Sequence, residues 1–103
     1  MTVFDRAHFD RMTSGDRALQ DEVIGLFRQQ VGAWAADCEG ADWRTAVHTM
    51  KGSARGIGLL ALAAACEAAE AAPEAGCAAA LAAVRVALGE AVSVLEQFAA
   101  AAA

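Results

Sequence analysis

Alanine occupies 29 of the 103 positions of this chain, and this feature does most to limit its fold. Alanine is the strongest helix former among the amino acids. The chain has no tyrosine and one proline, and it is poor in the β-branched residues from which sheets are built. Its length suffices for about one domain. We therefore expect a single all-α domain over residues 1–103.

Glycine, proline and cap-forming residues divide the chain into five predicted helices. The first helix is expected from near Asp5 to the turn at 13–16, and the second from that turn to 39–40. The third should run from Asp42 to Gly58 and the fourth from Leu60 to Ala72. The fifth should begin after the break at Pro73–Gly76, with residues 99–103 frayed. The last four are amphipathic and joined by short loops. We predict an antiparallel up-down-up-down four-helix bundle with a short N-terminal helix packed against it.

The second helix has an apolar face on which residues recur at spacings of three and four. Its members are Leu19, Val23, Leu26, Phe27, Gln30 and Trp34. Phe27 is expected in the core. Ile24 lies toward the edge of this face, and we expect it to contribute to an exposed patch where a partner docks.

The charge balance excludes several classes of function. Thirteen acidic residues against eight basic ones give a net charge of −5, the wrong sign for neutralising nucleic-acid phosphates or anionic membranes. Charges near the N-terminus interrupt any signal peptide, and the longest uncharged apolar run, 56–66, is shorter than the roughly 20 residues of a membrane span. We expect a cytoplasmic protein, with no nucleic-acid or membrane partner, whose three cysteines are free thiols.

The third helix presents a histidine on its polar side. With Trp43 at zero and about 100° per residue, the apolar positions fall between about −60° and +40°, whereas His48 falls near 140°. Arg44, Lys51 and Arg55 share this outward stripe with His48. Residues 42–58 carry a net charge of +2, from three cations against one aspartate, on an acidic chain. A local cationic site of this kind suits a phosphoryl group.

Gly52 lies one helical turn beyond His48 on the same side. A glycine inside a helix costs about 1 kcal/mol relative to alanine, which this chain uses freely. The bare backbone would let the surface of another protein approach the imidazole closely. The alternative explanation is tight helix packing within the chain.

Residues 48–58, His-Thr-Met-Lys-Gly-Ser-Ala-Arg-Gly-Ile-Gly, resemble the signature of histidine phosphotransfer (HPt) domains. The resemblance extends over roughly Asp16 to Ala72, and the last helix fits by pattern alone. One departure is Gly56, where many members of the family carry asparagine.

The resemblance implies a phosphorelay intermediate without kinase or ATPase activity of its own. His48 would accept a phosphoryl group from the aspartyl phosphate of one receiver domain and pass it to the aspartate of another. Lys51 is expected to contact the phosphoryl oxygens, and Gly52, Arg44, Arg55 and Ile24 to dock the partner. The expected partners are response-regulator receiver domains and a sensor or hybrid histidine kinase.

No cofactor or metal site of its own is expected, and Mg²⁺ would come with the acidic site of the receiver. We expect a free-standing monomer. The alternatives are an HPt module of a larger hybrid or chemotaxis-type kinase, a kinase dimerisation domain, an adaptor bundle that is not phosphorylated, and a metal or haem bundle. Thr49 argues against the dimerisation domain, where an acidic residue usually follows the histidine. His8 lacks a basic stripe and is assigned no role.

Overall fold

The computed structural model of the chain describes residues 1–101, and over these residues the fold contains helices and no strand. The predicted all-α class is confirmed. The helices are α1 (Arg6–Met12), α2 (Arg17–Asp37), α3 (Trp43–Ile57), α4 (Leu60–Ala71) and α5 (Cys77–Ala101), with a 3₁₀ turn at Glu74–Gly76 before α5. Each boundary lies within a few residues of the expected one.

The helix ends follow from local capping chemistry. The side chains of Asp5 and Asp16 accept backbone N–H groups at the starts of α1 and α2. Asp42 precedes α3 without a side-chain capping bond. Gly58 ends α3 in the left-handed conformation, with φ +94°, and its carbonyl accepts the backbone N–H of Asp5 at 2.8 Å. The N-terminal segment is therefore attached to the turn that joins α3 to α4.

The four long helices pack around one core. α3 packs mainly against α4, α4 against α5, and α2 against both α3 and α5, while α1 covers part of α3. The largest fully buried side chains include Phe9, Met50, Leu59, Leu62 and Leu95. Alanines between these larger residues allow the helices to approach closely.

The buried face of α2 differs from the predicted one. Ile24 is 4% exposed and belongs to the core, so its predicted place in a docking patch is wrong. Leu19 and Leu26, placed in the core by the sequence pattern, are 39% and 54% exposed. The helix is rotated by about 60° from the expected phase. The reason is Gln20, a polar residue that is buried because its amide donates to Thr13 and Asp10.

The final helix runs further than expected. α5 continues to Ala101, and the guanidinium of Arg17 donates to the carbonyl of Ala99 at 2.9 Å, so the predicted fraying from residue 99 is wrong as far as 101. Residues 102 and 103 lie outside the described part. By length and composition, Glu74–Ala101 is apolar enough to cross a membrane, a stretch that the search for uncharged runs missed. In the fold, Val84, Leu88, Ala91 and Leu95 of this helix fill the core.

Candidate functional site

The candidate site lies on the hairpin that α3 and α4 form. The two helices are joined by a turn at Gly58 and Leu59, and cross-helix contacts pair the start of α3 with the end of α4. Residues at equal distances from the turn therefore face one another. His48 precedes Gly58 by 10 positions and Glu70 follows Leu59 by 11, so these two side chains meet.

His48 projects into solvent, as predicted, with 72% of its side chain exposed. Its Nδ1 atom lies 3.3 Å from Oε2 of Glu70. The other carboxylate oxygen of Glu70, Oε1, lies 2.8 Å from Nζ of Lys51 in an ion pair. Lys51 is 16% exposed and Glu70 28%, so this ion pair is largely shielded from water while the imidazole beside it is open.

The ion pair keeps Glu70 ionised. The hydrogen bond from Lys51 holds the pKa of the Glu70 carboxyl below its ordinary value, and the hydrogen bond from His48 acts in the same direction against the opposing effect of desolvation. An ionised carboxylate has no proton to donate. The nitrogen of His48 that faces it must therefore carry the hydrogen of their bond, which leaves Nε2 unprotonated in the neutral ring.

The two arginines of the stripe are held by contacts within the hairpin. The guanidinium of Arg44 lies 4.3 Å from the ring centroid of Trp43 and donates to the carbonyl of Glu70 at 3.4 Å. Arg55 pairs with Glu67 at 3.1 Å, where both side chains are more than half exposed. Arg44, Lys51 and Arg55 therefore all contact α4.

Gly52 and Gly56 leave a strip of bare backbone beside His48. Both are exposed, and a Cβ atom built on either would meet no atom within 4 Å, apart from neighbouring residues and the backbone of its own helix. Packing within the chain therefore does not explain either glycine. The outward placement predicted for Gly52 agrees with the structure.

An open apolar groove of about 240 Å³ lies between α2 and α3. Its lining residues are Met12, Val23, Leu26, Phe27, Gln30, Trp34, Ser53, Gly56 and Ile57. The bare strip at Gly56 forms part of one wall, and the exposed side chain of Leu26 forms part of the other. Ile24 is absent from this lining because it points into the core.

Comparison with known proteins identifies the family. The profile of the Hpt domain matches residues 17–101, most of the chain. The chain belongs to the Hpt domain family. A crystal structure of the histidine phosphotransferase ShpA from Caulobacter crescentus superposes with a TM-score of 0.82 at 38% sequence identity, covering 95% of this chain and 91% of that one. No curated protein sequence matches the chain.

Membership of the Hpt family establishes the general role. Hpt domains are phosphorelay carriers that interact with receiver domains and histidine kinases of two-component systems, and in general they are neither kinases nor ATPases. The motif beginning at His48 lies inside the matched region. The resemblance drawn from residues 48–58 is therefore confirmed.

Sequence reasoning about this Hpt domain missed the acidic half of the site. Glu67 and Glu70 of α4 contact Arg55 and the His48–Lys51 pair, respectively. The missed signal was the length of the α3–α4 hairpin, which places both carboxylates opposite the basic stripe. His8 has a structural contact that was also missed, because its Nε2 donates to the carbonyl of Gly56 at 3.0 Å.

Proposed function

We propose that this Hpt domain carries a phosphoryl group on His48 between two receiver domains. The observation that carries the proposal is the geometry of His48, an exposed imidazole whose inner nitrogen bonds to an ionised carboxylate beside a lysine. This arrangement fixes which nitrogen carries the hydrogen: when the ring is neutral, Nδ1 donates to Glu70 and Nε2 keeps its lone pair. Such a ring is a nucleophile without the need for a separate base.

The acceptance step needs no proton transfer. The Nε2 lone pair attacks the phosphorus of the receiver's aspartyl phosphate, the bond from phosphorus to the aspartyl oxygen breaks, and that oxygen leaves as a carboxylate. Positioning and charge stabilisation account for most of the catalysis of such transfers. We propose that Lys51, poised one turn from His48, contacts the phosphoryl oxygens when they arrive. Arg44 and Arg55 add positive potential at the rim of the site.

The receiver docks, in this proposal, over the bare strip at Gly52 and Gly56 and into the α2–α3 groove. The groove supplies apolar contact area next to the bare strip at Gly56, with Leu26 in the place that Ile24 was expected to take. Arg44 and Arg55 lie at the edge, where charges steer association. The phosphoryl group originates from a sensor or hybrid histidine kinase, and Mg²⁺ belongs to the receiver, so the Hpt chain uses no cofactor of its own.

The wider assignment is part of the same proposal. Residues 1–103 act as one Hpt domain in the cytoplasm, as a monomer, and the four long helices alternate up and down. A free-standing protein and a module of a hybrid or chemotaxis-type kinase would use the same site.

The test is phosphoryl transfer from a receiver domain that has been phosphorylated with acetyl phosphate. The wild-type chain should take up label that is lost in acid and retained in alkali. His48→Gln should remain folded and take up none, whereas His8→Gln, which changes the other histidine of the chain, should be labelled.

Label retained on His48→Gln would contradict the assignment of the phosphorylated residue. Absence of label on every variant, across several receivers, would favour the second candidate, an adaptor bundle that is not phosphorylated.

A further inference from the structure

Lys51 is the only lysine of the chain, because all the other cationic side chains are arginines. Apart from the N-terminus, its Nζ is therefore the only primary amine. It lies one helical turn from His48, 2.8 Å from Oε1 of Glu70, with 16% of the side chain exposed. Unlike an arginine, a lysine that loses its proton is a strong nucleophile. The proposed function brings an electrophile to this place.

The electrophile is an acyl phosphate, the chemical class to which the phosphorylated aspartate of a receiver belongs. An acyl phosphate can be attacked at two atoms. Nε2 of His48 attacks phosphorus and takes the phosphoryl group. A neutral amine can instead attack the carbonyl carbon: a nitrogen–carbon bond forms, the carbon–oxygen bond to phosphate breaks, phosphate leaves with the electron pair, and the nitrogen gives its extra proton to water. The product is a stable amide on Lys51, which ends the relay.

We propose that Lys51 is the acyl-acceptor site of this chain, and that its ion pair with Glu70 holds it as an unreactive ammonium so that acyl phosphates react at phosphorus. This inference rests on the proposed function of His48. An ammonium has no lone pair with which to attack, and an adjacent carboxylate favours the charged form. Without that carboxylate, the largely buried ammonium would lack a counter-ion, which favours loss of its proton.

No other carboxylate substitutes for Glu70. Among residues 1–101, it is the one carboxylate within ion-pair distance of Nζ of Lys51. The other carboxylate of α4 is Glu67, which pairs with Arg55 at 3.1 Å, with both side chains more than half exposed. Protection of the amine therefore depends on a single contact, and one substitution can remove it.

The test measures acetylation of Lys51 by acetyl phosphate, a small acyl phosphate, in mildly alkaline buffer. Glu70→Gln removes the charge while keeping the volume and a carbonyl oxygen. The matched control is Glu67→Gln, which removes the same charge three residues earlier. Acetylated amines are quantified by peptide mass spectrometry in wild type and both variants. The α-amino group of Met1, a residue that is 88% exposed, serves as the internal reference.

In Glu70→Gln, the ratio of acetylation at Lys51 to acetylation at Met1 should rise about fivefold or more, because the lost ion pair is shielded and exceeds the upper end for an exposed one. Glu67→Gln should match wild type. Cys66, which is fully buried one turn before Glu70, reports whether the hairpin has opened. Its labelling by N-ethylmaleimide should stay slow in all three proteins.

An unchanged ratio in Glu70→Gln overturns the inference, and so does an equal rise in Glu67→Gln. A rise accompanied by rapid labelling of Cys66 also overturns it, because an opened hairpin would expose the amine whatever the charge beside it. If the wild-type chain takes no phosphoryl group on His48 from a receiver, the proposed function itself fails and this inference fails with it. That failure is seen in the transfer assay, so the two failures are distinguishable.

Discussion

Replacement of Gly52 by alanine should stabilise the protein while impairing its function. The Cβ atom of the new residue would meet nothing within 4 Å, so no clash offsets the gain in helix propensity. That gain is about 0.5–1 kcal/mol, which corresponds to a rise in melting temperature of roughly 2–8 °C for a domain of this size. The added methyl group lies on the surface beside His48, where the receiver approaches in the docking proposed above. An unrelieved steric overlap there costs about 1–3 kcal/mol, so transfer should slow about fivefold or more.

The assay pairs thermal unfolding, followed by circular dichroism, with the rate of phosphoryl transfer from a labelled receiver. Gly89→Ala is the matched control, because Gly89 also has open space around its Cβ position but lies within α5. It should gain similar stability and transfer at the wild-type rate. A Gly52→Ala protein that transfers normally would refute the docking role of the bare strip, and one that melts earlier than wild type would refute the reasoning from open space.

Three further outcomes follow from the structure. Leu26→Ala should weaken receiver binding, measured by titration calorimetry, by roughly an order of magnitude with little change in stability. Ile24→Ala should instead lower the free energy of unfolding by about 2–5 kcal/mol, because Ile24 is buried. The reverse pattern would contradict the observed rotation of α2. Gly58→Ala should lower the free energy of unfolding, measured in urea, by about 2–3 kcal/mol, because φ is +94° and the new Cβ would lie 2.9 Å from the Asp5 carbonyl oxygen. A variant as stable as wild type would argue against this turn geometry. The pKa of Glu70 is lowered in the folded state, so its ion pair stabilises the fold fully above the pH at which Glu70 titrates in the unfolded chain, and this stabilisation is lost as pH falls through the folded-state pKa. The difference in unfolding free energy between wild type and Glu70→Gln should therefore be present at about pH 7 and close toward about pH 3. A difference that stays constant with pH would contradict this reasoning.

The fold class and most helix boundaries could be predicted from the sequence because they depend on local chemistry. Alanine content indicated helices, and residues such as Asp5, Asp16 and Gly58 marked where helices begin and end. On α3 the apolar and polar residues are cleanly separated, so the direction of His48 could be read from periodicity alone.

The rotation of α2 could not be read in the same way. Its buried face includes Gln20, whose burial depends on hydrogen bonds to Thr13 and Asp10 in the preceding segment. Its exposed face includes Leu26, which an apolar pattern assigns to the core. A contact between separate elements decided the phase, and periodicity within one helix contains no information about it.

The basic half of the site was predictable and the acidic half was not, because one helix carries the first and its neighbour the second. Arg44, Lys51 and Arg55 share a stripe with His48 on α3. Glu70 enters only when α4 folds back along α3, so its role depends on the register of the hairpin and not on any motif.

The α3–α4 hairpin has a consequence for protein engineering. Its side chains around His48, both cationic and acidic, come from one uninterrupted stretch, positions 44–70. The other helices complete the core and supply the facing wall of the groove. A hairpin of this sequence is therefore a portable unit, and grafting it onto an unrelated helical scaffold with a matching apolar face should transplant His48 together with its lysine and glutamate.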